Sequence, residues 1–173
     1  MCTTLNVCLM LRLHIYLIKQ FMAMINLADN LEILVGDSER FEMVVTGRSM
    51  LPLLGFGRDS IVMRRVGIEE PILNRIAMFR VPSGKIIVHR VIDVANDVVS
   101  LRGDGNLYQI EKCRRDEIIA VLEQVVRHSG KRVSCTTRLW RFRERMWLCQ
   151  PLIVRRYALA VMHRWLNFRD KKR

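Results

Sequence analysis

The sequence of 173 residues predicts a mostly β domain followed by two basic helices. Between residues 41 and 126, short β-branched segments alternate with Gly, Pro and Asn-Asp turns, a pattern typical of repeated hairpins. Residues 136–168 lack turn residues apart from Pro151. The charge changes as well: residues 1–126 hold 15 basic and 15 acidic side chains, whereas residues 127–173 hold 14 and 2. The net charge of +12 therefore belongs to the C-terminal segment and says little about the domain's chemistry.

Each element follows from its local pattern. Residues 26–35 space apolar side chains as a helix does, with Gly36 as its stop, and so predict an N-terminal helix. High β-propensity predicts strands at 41–45, 60–66, 75–81, 85–94, 98–102 and 118–126. Two helices are expected at 136–149 and 151–168, with Pro151 at the first position of the second. The chain thus divides into an extension outside the fold (1–25), a β domain (26–126) and a basic, aromatic helical tail (127–173).

The cysteines and the apolar N-terminal stretch together indicate the cellular compartment in which we expect the protein. The five cysteines are odd in number and include no C-x-x-C pair, so we expect reduced thiols, with no disulfide framework and no metal site. Residues 5–28 are apolar, but Arg12, His14 and Lys19 interrupt them, and a charge at a bilayer centre costs about 2.5–3.5 kcal/mol on insertion scales. We therefore predict no spanning helix and a cytoplasmic protein, with peripheral membrane contact left open.

Three short segments contain residue types that carry chemistry. Ser49 follows a strand and Gly47, at the start of an irregular turn whose N–H groups could face an oxyanion. His89 lies within a β-branched strand, where partial desolvation favours the neutral imidazole that a general base needs. Asp104 lies in a tight glycine loop after the next strand, from which it could fix a histidine tautomer.

Each of these segments also has a structural interpretation. Ser49 could be an ordinary turn residue, and His89 could be satisfied by a backbone carbonyl. Asp104 could belong to a plain Asp-Gly turn. Lys85, four residues before His89, is an alternative base, although its place near a turn predicts that it is solvated.

The order of several motifs resembles the signal-peptidase and LexA-type superfamily of serine peptidases over about residues 44–126. The motifs are G-R-S-M-L-P (47–52), G-R-D-S-I-V (57–62), A-M-F-R-V-P (77–82), I-V-H-R-V-I (87–92) and L-R-G-D-G-N (101–106). Histidine in the fourth motif is similar to the endoplasmic-reticulum and archaeal signal peptidases, which use histidine where bacterial leader peptidases use lysine. The resemblance implies that the β domain is a coiled β-sheet barrel, to which the local sequence patterns add the N-terminal helix and the two basic C-terminal helices.

The resemblance also implies a serine endopeptidase. Ser49 would be the nucleophile, with its backbone N–H as an oxyanion donor, His89 the base, and Asp104 the acid that orients the base. Motif or structural roles are implied for Gly47, Met50, Pro52, Arg90 and Gly103. The substrate would be an extended peptide or protein precursor, added along a strand edge and cut beside small residues. No cofactor is implied.

The chain departs from the family's pattern at several points. The second acidic residue of the histidine branch is not at its expected spacing, and Glu111 is the nearest candidate. Asn74-Arg75 replaces the usual Gly-Asp before the third strand, and Gly47 replaces a serine that would donate to the oxyanion in leader peptidases. A recognisable membrane anchor is also absent, which bears on leader processing more than on peptide hydrolysis.

The basic tail has three interpretations. Its arginines and aromatic residues could form helices packed on the domain with a solvated arginine face, a membrane-surface contact over residues 136–169, or a nucleic-acid contact, in that order. The alternative to an enzyme is a catalytically inactive β domain that binds peptides or dimerises, with the tail touching membrane or nucleic acid.

Overall fold

The computed structural model describes residues 39–81 and 83–171. The predicted extension (1–25) and N-terminal helix (26–35) lie outside the described residues. The described part contains eight strands, one short 3-10 helix and two α-helices. In chain order they are β1 (Arg40–Val44), β2 (Ser60–Arg65), β3 (Ile76–Arg80), β4 (Ile86–Ala95), β5 (Val98–Arg102), β6 (Glu111–Arg114), the 3-10 helix (Arg115–Glu117), β7 (Ile118–Val126), β8 (Arg132–Ser134), α1 (Arg138–Leu148) and α2 (Leu152–Asp170).

All eight strands belong to one antiparallel sheet. Its order is β1-β2-β7-β3-β4-β5-β6, and β8 pairs with β7 beside this path. The prediction of a mostly β region followed by two C-terminal helices is confirmed. The prediction of a barrel is wrong for the described residues: β1 and β6 stay at opposite ends of an open sheet, and no ladder joins them.

Strand β4 changes partners halfway along, which creates the geometry of the site. Its first half, from Ile86 to Arg90, pairs with β3, whereas β5 pairs with it only from Arg90 onward. The register with β5 shifts between Val91 and Asp93, and such a bulge bends a strand and increases its twist. One edge of Ile86–Val88 is therefore paired with β3, and the other carries no strand among the described residues.

Two of the strands were not predicted from the sequence. Strand β6 reads E-K-C-R and β8 reads R-V-S, so neither has the β-branched alternation that marks a strand. They form because β6 pairs with the edge of β5 and β8 pairs with the edge of β7. Strand β8 lies within the segment assigned to the basic tail.

The core covers both faces of the sheet. One cluster gathers Met63, Met78, Leu122 and Val125 under Trp140 of α1, so the first helix covers one face. A second cluster fills the other face with Phe79, Val91, Val99, Leu101 and Val121.

A third, smaller cluster attaches the helices to the serine-bearing turn. It contains Leu51 from the turn, Trp147 from α1, and Leu159 and Leu166 from α2. Fully burying a large apolar side chain contributes about 1.5–3 kcal/mol, so this contact is a stable part of the fold. In the described part of the chain, neither helix is long and apolar enough to span a bilayer.

Candidate active site

Ser49 lies on a turn that is anchored by its apolar neighbours. Met50, Leu51, Leu53 and Leu54 are all buried, and the Leu54 N–H donates to the Met50 carbonyl at 3.1 Å. Ser49 itself is half-buried. Its N–H has no backbone acceptor among the described residues. The pattern of buried leucines explains how a loop residue can be held on a rigid support.

His89 lies on β4 with its ring almost fully buried, at 3% exposure. Its Nδ1 is 2.8 Å from Glu111 Oε2, and the other oxygen of that carboxylate accepts from Gln109 Nε2 at 2.8 Å. An ionised carboxylate can only accept a hydrogen bond, so with Glu111 ionised the proton is assigned to Nδ1. The lone pair of the neutral ring is therefore on Nε2.

Gly103 shows how closely Ser49 and His89 approach each other. A Cβ built on this glycine would lie 3.0 Å from His89 Nε2 and 3.1 Å from Ser49 Cβ. The two atoms are consequently at most about 6 Å apart. The ring nitrogen that does not contact Glu111 is therefore the one that lies near the Ser49 side chain.

The Ser49 hydroxyl is not bonded to the imidazole in this conformation. Its Oγ lies toward Gly47, 3.8 Å from where a Cβ on that glycine would be. A change of χ1 between staggered rotamers redirects Oγ without moving the backbone. Hydrogen bonds between nucleophile and base often tighten only once substrate is present, so the backbone placement is the more informative geometry.

Asp104 lies behind the serine, and its carboxylate contacts Arg90 instead of the histidine. The two oxygens accept from Arg90 Nε and Nη2 at 2.8 Å each, and both residues are at least 98% buried. Of the three predicted site residues, the structure brings Ser49 and His89 together, while the carboxylate on the ring belongs to Glu111.

Arg90 joins three parts of the fold through its guanidinium. Besides Asp104, Nη1 donates to the Asn74 carbonyl at 2.8 Å and to Glu144 of α1 at 3.0 Å. Burial alone would lower the pKa of Arg90, but its pairs with Asp104 and Glu144 raise it above the usual value. The residue is therefore a permanent cation that holds the glycine loop, β4 and α1 together, in keeping with the structural role predicted for it.

Both C-terminal helices reach the same glycine loop. The Asp104 carbonyl oxygen accepts from Trp147 Nε1 at 3.1 Å and from Arg155 Nη2 at 2.9 Å. Burial, together with repulsion from Arg102, lowers the pKa of Arg155. A buried cation on a neutral carbonyl is an uncommon arrangement, since charged groups are rarely buried without an ionic partner. The helices therefore support the site directly, which the basic composition of the segment did not predict.

Glycine is required at position 103 because the loop packs on the serine turn. A Cβ there would lie 2.5 Å from the Ser49 carbonyl oxygen, a distance that forces the backbone to shift. The Gly105 N–H donates to that same oxygen at 2.7 Å. The G-D-G spacing thus holds the loop against the backbone of Ser49.

Gly103→Ala is expected to lower the free energy of unfolding by about 1–3 kcal/mol, the usual cost of forcing extra volume into a packed interior. Urea unfolding, followed by tryptophan fluorescence, measures the change. Gly67→Ala is the matched control, because nothing lies within 4 Å of a Cβ at that position. Equal stability of the two variants would contradict this account of the loop.

A narrow apolar groove of about 170 Å³ leads to Ser49. Its two walls are the end of β1 and the start of β4, where only one edge of β4 is paired. The lining residues are Met43, Val44, Val45, Thr46, Gly47, Ser49, Met50, Leu54, Ile61, Ile86, Ile87 and Val88. An extended chain could enter there beside either strand edge.

Other candidate groups are placed unfavourably for chemistry. Lys85 is exposed at the start of β4, as its place near a turn predicted. Burial raises the pKa of Cys113 and of Cys135 to about 12, so both thiols stay protonated and unreactive near neutral pH. In the part of the chain that the structure describes, no group of three or more His, Cys, Asp or Glu side chains is arranged to hold a metal ion.

Comparison with known proteins does not add to this description. No model of a known protein family matches the chain, and neither does any curated protein. The interpretation of the site therefore depends on its geometry and on the motif order described above.

Proposed function

We propose that the protein is a serine endopeptidase of the signal-peptidase-like type. Ser49 acts as the nucleophile and His89 as its base, while Glu111 takes the orienting role that the motif order assigned to Asp104. The observation that carries the proposal is the double placement of the imidazole: Nδ1 contacts Glu111, and Nε2 lies within about 6 Å of Ser49 Cβ, next to Gly103. A histidine with a purely structural role in a strand does not require a serine near its second ring nitrogen.

The proposed reaction has two steps. Ser49 Oγ attacks the peptide carbonyl as its proton passes to His89 Nε2, and the imidazolium then protonates the departing amine, which leaves an acyl-serine. Water, deprotonated by the same nitrogen, attacks that ester and restores Ser49. Positioned acid–base help contributes about 10²–10⁴-fold, and an oxyanion donor such as the Ser49 N–H about 10²–10³-fold.

In this proposal Asp104 supports the site indirectly, through the glycine loop and not through contact with His89. Its paired carboxylate and its carbonyl fix the loop whose two glycines pack on the Ser49 backbone. It is a positioning residue, because it touches neither the nucleophile's oxygen nor the ring of the base.

The groove indicates the kind of substrate. Both walls carry a strand edge that pairs with no other strand among the described residues, so an extended peptide could form main-chain hydrogen bonds there. The lining is mostly aliphatic and the volume is small, which favours small or medium apolar side chains next to the cleaved bond. We therefore expect an extended peptide or the flexible part of a protein precursor.

The identity of the base gives a direct test. The purified full chain is incubated with a mixture of unstructured peptides, and the products are identified by mass spectrometry. His89→Gln is expected to lower kcat by about 10⁶-fold, because the amide cannot take the serine proton and a serine and a histidine that act as one unit lose about the same rate when either is removed. Glu111→Gln is expected to give a smaller loss in the same direction, since it weakens control of the tautomer.

Lys85→Ala is the matched control, one residue before the same strand, and it is expected to leave cleavage unchanged because Lys85 is exposed. If Lys85→Ala removed activity while His89→Gln kept it, the proposed base would be wrong. If the unmodified chain bound peptides without cleaving any, the non-catalytic binding domain would replace the enzyme.

A further inference from the structure

The second helix, α2, exposes a continuous apolar stripe on the side that faces away from the domain. Its inward face carries Arg155, Leu159 and Leu166, all of them buried. On the opposite side, at successive helical spacings of three and four residues, the side chains are 44–69% exposed. They are Ile153, Val154, Tyr157, Val161, Trp165 and Phe168.

The first helix repeats this arrangement. Trp140 and Trp147 point inward and are buried, whereas Leu139, Phe142 and Met146 are 50–66% exposed at spacings of three and four residues. Both helices are thus apolar on two sides, one that the domain covers and one that stays largely exposed, although Arg169 lies over the Trp165 ring. Single exposed apolar residues are common, but contiguous apolar faces mark interaction surfaces.

The charge around these faces is of one sign. The segment from Arg138 to Asp170 contains eight arginines and two acidic residues. One of the two acids, Glu144, is already paired with Arg90. Arg156 and Arg164 are exposed on α2, beside the apolar stripe. A partner of this surface must therefore present negative charge next to an apolar phase.

We propose that the outer faces of α1 and α2 bind the surface of an anionic lipid membrane. A second copy of the chain would bring two arginine-rich surfaces together and is disfavoured by repulsion. A nucleic acid would satisfy the arginines but leave Ile153 and Val161 in water. A lipid surface matches both features, with apolar residues in the acyl boundary, arginines at the anionic headgroups, and Tyr157 and Trp165 at the interface between them.

Membrane contact through α2 would also bring the serine turn close to the bilayer. Arg48, next to Ser49, donates to Asn167 of α2 at 2.6 Å, and Leu51 packs against Leu159 and Leu166. The lipid-binding proposal depends on the helices alone and would survive the loss of the proposed peptidase activity.

Vesicle flotation with the full chain tests the proposal. The protein is expected to float with vesicles of phosphatidylglycerol and phosphatidylcholine, and much less with phosphatidylcholine alone. The triple variant Tyr157→Ala/Val161→Ser/Trp165→Ala is expected to weaken partitioning about tenfold or more, since these side chains supply the buried apolar area. Arg156→Gln/Arg164→Gln is expected to weaken it to a similar extent, and only on anionic vesicles.

Ile68→Ala/Leu73→Ala is the control, because these apolar residues are 66% and 54% exposed outside the two helices. It is expected to bind lipid like the unmodified protein, and circular dichroism confirms that every variant keeps its helices. Unchanged flotation of the triple variant would overturn the proposal, because another part of the chain would then be binding the lipid. It would also be overturned if the triple variant instead abolished a dimer, or oligonucleotide binding, without affecting flotation.

Discussion

Ser49→Ala is expected to reduce peptide cleavage by the full chain to background. Where a serine and a histidine act as one unit, removing either costs on the order of 10⁶-fold in kcat, and what remains comes from oxyanion donors and binding. Alanine keeps the backbone N–H and the groove, so substrate should bind with little change. The loss should therefore fall on kcat and leave KM nearly unaltered, which steady-state kinetics on one identified peptide can separate.

Ser100→Ala is the control for this substitution, since Ser100 is half-buried on β5 and lines no part of the groove. It is expected to cleave like the unmodified protein. Cleavage by the Ser49→Ala protein at the unmodified rate would show that Ser49 is not the nucleophile, whatever the geometry around it.

Arg90→Met is expected to lower the free energy of unfolding by about 3–5 kcal/mol, the usual cost of leaving a buried charge without its partner. The substitution removes both hydrogen bonds to Asp104, whose carboxylate is 2% exposed and cannot turn to water without moving the glycine loop. A domain of this size is stable by about 5–15 kcal/mol, so the loss is a large share of the total. Urea unfolding measures it.

Two further variants show that the cost arises from burial and pairing. Arg132→Met breaks an exposed pair with Glu42 and is expected to change stability by no more than about 1 kcal/mol. The double variant Arg90→Met/Asp104→Leu removes both charges and should recover most of the stability, because apolar residues often replace a buried pair without net loss. If Arg90→Met alone were as stable as Arg132→Met, the guanidinium would not be holding the loop.

Six of the eight strands could be predicted because their signals are local. The β-branched run of β4 predicts a strand. Ser49 and His89 are recognisable as candidate site residues because they lie in short motifs that follow a given order. Whether the sheet closes into a barrel was not predictable. It depends on whether β1 and β6 meet, and no local pattern fixes that distance.

The identity of the acid on His89 depends on a long-range register. Glu111 reaches the ring because β6 pairs with β5 so that Leu101 lies opposite Glu111. Strand β6 has no recognisable strand pattern, so the sequence offered Glu111 only as the nearest candidate. Asp104 was the more prominent carboxylate, but neighbouring residues of a strand point to opposite faces, and its partner is Arg90 instead of His89.

The C-terminal segment shows a similar limit of sequence reasoning. An excess of arginine predicts a solvated face, and most of these arginines are indeed exposed. Arg155 is buried, however, and its hydrogen bond to Asp104 can be recognised only once α2 is packed against the glycine loop. Composition cannot single out one arginine among eight.

The convergence of Trp147 and Arg155 on one carbonyl oxygen has a consequence for biosynthesis. The loop that backs the serine gains its last supports only after the ribosome has released the second helix. A chain that is still being translated would hold every residue of the dyad but not yet the scaffold that aligns them. Under the proposed function, hydrolysis would begin only after α2 has been synthesised and has packed on the glycine loop.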